Sequence, residues 1–379
     1  MKAPRLMRIA LFTDTYLPNT DGVVSSILAY RQGLRTAGHE MLVFAPDSPK
    51  AVPEENVHRY SGVAFPPYPD YRLPIFPDIP ADFLKRKKVQ IIHSKAMAAM
   101  GLAARSLSRK ANVPSLASLE TMIPEGTHYV IPIKNSLVEG LGRKIGWSYL
   151  RWFYSGFDLV TSPSRHAQGV MAENGIGSLV LPSPIDTGRF RPNRNGDAVK
   201  RSLGIGGKRV IASVGRVVEE KNYGFLLSAA KEMRGDDAVF MIVGKGPYLE
   251  ALKRKALADG LGGKFIFTGF VPDGRLVDYY NAADCFVFPS RFETQGLAAL
   301  EALSCGKAAC VMDGTPMAEV VNAKNGQVFA DDAKDCAEKL SKCLAEGERM
   351  APHCRKSALP YSIPSCTKSL VSIYRRLLE

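Results

Sequence analysis

The sequence predicts an α/β protein made of two parallel-sheet domains facing each other across a cleft. Three observations lead there. Short apolar runs of strand character alternate with helical patterns along the chain, as they do where parallel strands are covered by helices. The alternation breaks at a polar stretch rich in Gly, Asn and Arg, residues 189–207, and then starts again. The length, 379 residues, exceeds what one hydrophobic core comfortably serves. In open parallel sheets ligands bind beyond the carboxyl ends of the strands, so two opposed halves would hold a ligand between them.

In the first half strands are expected at residues 8–14, 39–45, 89–94, 115–119, 159–162 and 178–181, each an apolar run bounded by polar or turn residues. Helices are expected near 23–37, 97–110, 136–155 and 165–174. Residues 64–80 hold six prolines among aromatic residues and read as a long irregular loop over the first sheet. The stretch 189–207 reads as a linker. Strands then follow at 210–215, 239–244, 265–268, 285–289, 308–312 and 327–329, with helices between them and a last helix over 364–378. The expected domains are 1–190 and 191–360, with a C-terminal helix, 361–379, packing back toward the first.

The net charge is +13. Residues 1–196 carry 24 Lys and Arg against 15 Asp and Glu, hence +9, and the remainder carries 26 against 22, hence +4. A basic half attracts nucleic acid, an anionic membrane surface or a phosphorylated substrate, or simply aids solubility. All seven cysteines lie in the second half, without a Cys-x-x-Cys pair, so neither a disulfide framework nor a metal site is expected. They read as small hydrophobes in a reducing, cytoplasmic compartment. The apolar run at 9–12 is too short for a signal-peptide core, and no stretch is long enough to span a bilayer. Membrane contact, if any, is expected to be peripheral. Residues 134–157 combine Lys134, Arg143, Lys144 and Arg151 with both tryptophans, Tyr149, Phe153 and Tyr154, which suits a helix in a membrane interface or one packed on the sheet.

The richest chemical signal is Arg291-Phe292-Glu293-Thr294-Gln295-Gly296-Leu297, continuing to Glu301. A strand, a glycine turn and a helix in succession leave backbone N–H groups at the helix N-terminus, where a phosphate is favoured. Glu293 precedes the turn and Glu301 follows it, so the two acids flank that position as a sugar and a ribose flank a diphosphate. Gly215-Arg216, with Lys221 further on, places two cations at the carboxyl end of another strand, which is either a solvated loop or a seat for a diphosphate. Gly244, in Val243-Gly244-Lys245-Gly246-Pro247, allows close backbone approach to a ligand or makes a tight turn. Gly22 lies where a helix start faces a phosphate or sugar, and the absence of a G-x-G-x-x-G fingerprint there counts against a nicotinamide enzyme. His93 and Glu120 each end a strand and are expected to point into the cleft, with His128 and Tyr129 in the loop after Glu120. A carboxylate ending an apolar strand needs partners or water.

Taken together, these segments resemble the retaining nucleotide-sugar glycosyltransferases of family 4, which have the two-Rossmann GT-B fold. The matching residues are 13–24, 215–222, 243–247, 268–272 and 293–302. Glu293-Thr294-Gln295-Gly296-Leu297 and the loop Glu120-Thr121-Met122 to His128-Tyr129 look most like the diacylglycerol glycosyltransferase branch. The resemblance implies that Arg216 and Lys221 hold the donor diphosphate, that Gly215 and Gly244 line the donor site, and that Gly296 and Leu297 offer it backbone amides. It implies further that Glu293 contacts the donor sugar, Glu301 the ribose hydroxyls, and that Gly22 lies beside the donor. The acceptor would bind the first domain, near His93, His128 and Tyr129. Two departures stand out. Glu120 occupies the place of a histidine that in the family contacts the transferred sugar, and residues 93–97 differ from the family pattern.

The expected activity is transfer of a hexose from a nucleotide-diphosphate sugar, a UDP-hexose or GDP-mannose, to a hydroxyl acceptor with retention. That acceptor is a lipid such as diacylglycerol or a phospholipid headgroup, or alternatively a soluble molecule or polysaccharide. Glu293 and Glu120 are the candidate catalytic residues. No cofactor, metal or nucleic acid is expected, and the protein is placed in the cytoplasm, peripheral on an anionic membrane surface. Two other classes compete: a degenerate transferase that binds nucleotide without turnover, and a nucleic-acid binder, which explains the charge but not the strand-end acids.

Overall fold

The structure is a computed structural model that describes residues 6–65, 68–75, 77–126, 136–193, 195–233 and 237–379. The chain divides into two compact units, Met1–Pro184 with Ile363–Glu379, and Ile185–Ser362.

The first unit runs β1 (Arg8–Phe12), α1 (Gly22–Thr36), β2 (Glu40–Pro46), β3 (Val57–Tyr60), β4 (Gly62–Phe65), β5 (Tyr68–Pro74), α2 (Ala81–Arg86), β6 (Ile91–Ser94), α3 (Ala99–Ala111), β7 (Ser115–Ser118), α4 (Ser136–Tyr154), β8 (Leu159–Ser162), α5 (Arg165–Glu173) and β9 (Leu179–Val180). Its main sheet is parallel in the order β3-β2-β1-β6-β7-β8-β9. The inner strands read as unbroken apolar runs because helices cover both faces. Leu11, Val43, Ile91 and Leu116 meet Ile27, Tyr30 and Leu34 of α1 in one buried core.

The second unit runs α6 (Gly196–Ser202), β10 (Arg209–Val214), α7 (Tyr223–Glu232), β11 (Ala238–Val243), α8 (Leu249–Ala258), β12 (Phe265–Gly269), α9 (Asp273–Ala282), β13 (Cys285–Phe288), α10 (Leu297–Ser304), β14 (Ala308–Met312), β15 (Gly326–Phe329) and α11 (Ala333–Ala358). Its sheet is parallel in the order β12-β11-β10-β13-β14-β15. The chain then enters α12 (Ile363–Leu378), whose Leu370 and Tyr374 complete the core of the first unit. α12 lies so close to α1 that a Cβ on Gly33 would stand 2.0 Å from Thr367 Oγ1. All seven cysteines are buried free thiols.

In each sheet the strand order reverses once, between β1 and β6 and between β10 and β13. Loops leaving such a pair diverge to opposite faces and open a crevice at the strands' carboxyl ends.

Three expectations need correction. Residues 64–80 are not wholly irregular, because β4 and β5 form an antiparallel ribbon, Gly62 opposite Pro74 and Ala64 opposite Arg72. A two-stranded ribbon has only edges, so proline costs it no ladder bond that matters. Arg72 also donates from Nε and Nη2 to the Gly62 carbonyl, at 3.1 and 2.9 Å. The stretch 189–207 contains α6, whose Gly196 and Val199 are buried, and Lys200 Nζ lies 2.8 Å from Asp284 Oδ2. The short strand β3, absent from the expected set, extends the first sheet beyond β2.

Candidate active site

In the second unit the two loops at the order reversal carry the residues singled out by sequence. After β10 the chain turns through Gly215 and Arg216 to a short 3₁₀ turn, Glu219–Lys221, and Asn222 enters α7 with φ 56°. After β13 it passes Ser290 and Glu293 to Gly296 at the start of α10. The loops are stitched together. Lys221 Nζ lies 2.5 Å from Glu293 Oε1, Asn222 Nδ2 donates to the Pro289 carbonyl at 3.2 Å, and Ser290 Oγ to the Glu220 carbonyl at 3.5 Å. Arg216 sits 3.6 Å from Glu220 and is substantially exposed, so that pair is weak and the guanidinium is accessible to an anion.

Two glycines shape this edge. Gly244, leaving β11 at φ +145°, lies against the β10 loop so closely that a Cβ would be 1.9 Å from the Gly215 carbonyl oxygen. Gly296 holds φ +97°, where a Cβ would meet Met317 Cγ at 2.6 Å. Only glycine fits either place. Gly296 is the N-cap of α10 and brings no capping side chain of its own, and the partly exposed Leu297 follows directly. A helix N-terminus of this kind favours an anion beside it.

Glu301 lies one turn into α10 and has a different partner from Glu293. Tyr280 Oη of α9 donates to its Oε2 at 2.6 Å. Burial raises its carboxyl to about 7, against the pull of the Tyr280 hydrogen bond and the Arg189 charge. The folded value thus exceeds the ordinary 4.5, and the folded chain binds this proton more tightly than the unfolded one. Stability contributed here is full below about 4.5, declines as pH rises to about 7, and is level above. Urea melts between pH 5 and 8 are expected to show this decline in the wild type and a shallower one in Glu301→Gln, which stays neutral throughout.

The first unit holds Gly22, His93 and Glu120. Gly22 is the first residue of α1, behind the N-cap Asp21, whose Oδ1 accepts from Val24 N at 2.9 Å. Asp14 joins the loops after β1 and β6 by accepting from the backbone N–H groups of Met97, Ala98 and Met100 at 3.0, 2.7 and 3.1 Å. Glu120, expected to face a ligand, is paired with Lys95 Nζ and has a side chain only 10% exposed. Lys95 also donates to Ser26 Oγ at 2.9 Å and stands 5.3 Å from the Tyr30 ring centroid. Burial raises the Glu120 carboxyl, Lys95 opposes that, and Asp21 adds to it. His93 is fully buried, with Nδ1 2.7 Å from Tyr374 Oη and Nε2 2.7 Å from Ser118 Oγ. Burial and the nearby Lys95 charge hold it well below the usual histidine value. Both ring nitrogens are spent on tying β6 to β7 and α12, so the side chain presents neither to an acceptor. His128 and Tyr129 lie outside the described residues.

Sequence reasoning did not single out Lys95, Tyr280 or Arg189. A signal existed for Lys95: a lysine directly after an apolar strand must find a counter-charge. Its partner, 25 positions on, depended on β6 and β7 being neighbours.

A family profile described as Glycosyltransferase Family 4 matches residues 20–189, and one described as Glycosyl transferases group 1 matches residues 196–358. The alpha-monoglucosyldiacylglycerol synthase of Streptococcus pneumoniae is 30% identical over 329 residues, which are 79% of this chain and 70% of that protein. The chain belongs to the family 4 glycosyltransferases. The GDP-mannose-dependent alpha-mannosyltransferase of Mycolicibacterium smegmatis is 26% identical to this glycosyltransferase over 383 residues, 98% of each chain. Among solved structures, sucrose-phosphate synthase from Thermosynechococcus elongatus matches with a TM-score of 0.78 at 16% identity, over 98% of this chain and 99% of that one. Anabaena HepE in complex with UDP and glucose matches at 0.76 and 16%, over 97% and 99%. These likenesses bear out the expected GT-B architecture of two Rossmann-like parallel-sheet units. The expected enzyme class, a glycosyltransferase, is borne out by the family and its relatives.

Proposed function

We propose that this glycosyltransferase moves a hexose from a nucleotide-diphosphate sugar to a lipid hydroxyl, with retention at the anomeric carbon. The observation that carries the donor reading is the stitched loop pair of the second unit: Arg216 and Lys221 on one loop and the glycine start of α10 on the other, with Glu293 and Glu301 held by separate partners. In this reading Arg216, Lys221 and the amides at Gly296 and Leu297 receive the diphosphate. Glu293, oriented by Lys221, contacts the sugar, and Glu301 accepts from the ribose hydroxyls. Gly215 and Gly244 keep the floor of the site low. In the first unit Gly22 and Glu120, the latter oriented by Lys95, are the residues proposed to contact substrate.

The bond from the anomeric carbon to the leaving phosphate oxygen breaks as that carbon joins the acceptor oxygen on the same face. The acceptor proton passes to the leaving phosphate. Most of the rate enhancement in this reading comes from cations and amides placed in advance around the developing diphosphate charge.

A lipid acceptor is supported by the Streptococcus pneumoniae relative, whose name specifies a glucosylated diacylglycerol, and by the +9 charge of residues 1–196. The same charge supports residence on an anionic membrane surface at its cytoplasmic side. Thermal-shift measurements with UDP-glucose, GDP-mannose and ADP-glucose test the donor. A bound donor at about a hundredfold excess over Kd is expected to stabilise by about 2.7 kcal/mol. Failure of all three donors to shift melting would overturn the reading. Donor affinity is also expected to weaken below pH 7, as the Glu301 carboxylate takes up its proton. Product analysis with diacylglycerol then tests acceptor and anomeric outcome.

A further inference from the structure

The amino ends of β7 and β8 border a cavity of about 570 Å³, a volume in the range of small-ligand pockets. It lies at the opposite end of the first sheet from the loops that carry Asp14 and Glu120. Arg109 and Asn112 line it from the end of α3, Asp158 and Leu159 from the start of β8, and Arg376 and Leu377 from the end of α12. Both arginines are exposed, and among the described residues neither has an acid within ion-pair distance. A cation in the last turn offsets the helix dipole, which accounts for an arginine at either helix end but not for two lining one cavity. The carbonyls that would repel an anion at the end of α3 are already occupied. Ser108 O accepts from Val113 N at 3.0 Å and Arg109 O from Asn112 N at 3.4 Å. Asp158 Oδ2 accepts from Ser115 N and Oγ at 2.7 and 2.8 Å, which fixes the carboxylate and leaves Oδ1 for another donor.

We infer that this cavity is a second small-molecule site, which binds a free phosphorylated sugar or polyol. The phosphate lies between Arg109 and Arg376, whose guanidinium forks match its oxygens. A hydroxyl of the ligand donates to Asp158 Oδ1, and Asn112 supplies a further amide. Leu159 and Leu377 take the apolar side of the carbon skeleton. A bare phosphate is the poorer occupant, because it meets the repulsion of Asp158 and offers that carboxylate no polyol hydroxyl. The ligand joins the end of α12 to α3 and β8. Its occupancy therefore stabilises the closure of the first unit by its last helix, whatever sugar the enzyme transfers.

The test is calorimetric titration and thermal shift of the full chain with glucose 6-phosphate, glycerol 3-phosphate, inorganic phosphate and glucose. The two esters are expected to bind and to raise the melting temperature, inorganic phosphate to bind more weakly, and glucose to do neither. Arg109→Ala and Arg376→Ala are each expected to weaken ester binding by about tenfold or more, the loss of a charge-assisted contact. Lys110→Ala and Arg375→Ala remove the same charge from neighbouring positions outside the cavity and should leave ester binding unchanged. Asp158→Asn keeps an oxygen for Ser115 and is expected to erase the advantage of the esters over inorganic phosphate. Saturating UDP should not displace them. Absence of binding by both esters overturns the inference. So does an equal loss in the two neighbouring variants, which would mean surface charge alone, or displacement by UDP, which would mean the donor site. Binding of dihexanoylphosphatidylglycerol without binding of either free ester overturns it as well.

Discussion

Replacing Lys221 with alanine is expected to lower kcat/KM for sugar transfer by roughly 10²–10³, the scale on which one preorganised charge-stabilising group acts in a transition state. Two losses combine. The leaving diphosphate loses a cation, and Glu293, 12% exposed, loses the ammonium 2.5 Å away that holds it in place. A carboxylate released beside a diphosphate repels it. Lys221→Arg is expected to recover part of the activity, since it restores charge without the compact geometry of an ammonium. Steady-state kinetics, with nucleotide binding by calorimetry, separates the contributions. A Lys221→Ala enzyme with wild-type kcat/KM and wild-type nucleotide affinity would remove this loop from the donor site.

The largest stability effect is expected at Lys95. Lys95→Met leaves the Glu120 carboxylate buried without its counter-charge, a loss of about 3–5 kcal/mol where a buried pair is broken from one side. For a unit of some 200 residues that corresponds to about 6–20 °C in melting temperature. The double substitution Lys95→Met with Glu120→Gln should regain much of it, because no charge remains to be buried. The deficit of the single variant should also shrink at acid pH, where burial favours the protonated carboxyl. Calorimetric scans at several pH values read all three effects. A Lys95→Met protein as stable as wild type near pH 8 would mean that water reaches Glu120.

Much of the fold is legible because buried parallel strands carry their own signature. Val239–Val243 and Cys285–Phe288 sit among helices on both faces and show almost no polar residue, so strand and surroundings are read from the same letters. Strand order is not written that way. Lys221 and Glu293 each follow such a strand, but their contact, between residues 72 positions apart, depends on β10 and β13 being neighbours. The same holds for Glu120 and Lys95, and for Glu301, whose partner Tyr280 comes from the preceding helix. His93 misleads because a strand-end position cannot reveal that α12 returns to occupy the ring with Tyr374. The ribbon of β4 and β5 is hidden by its prolines, which argue against central strands and say nothing against a pair of edges. The helix α6 is hidden by a polar composition that its few buried residues barely offset.

The return of α12 orders the birth of the protein on the ribosome. Leu370, Tyr374 and the Thr367 that nests against Gly33 are translated after the whole of the second unit, yet they finish the core around α1, which is translated before it. The first unit therefore emerges with an unfilled seam and stays open while the second, contiguous unit is synthesised and folds. Closing that seam waits for residues 363–379, and a nascent chain stalled before residue 363 would expose Ile27, Tyr30 and Leu34 to chaperones.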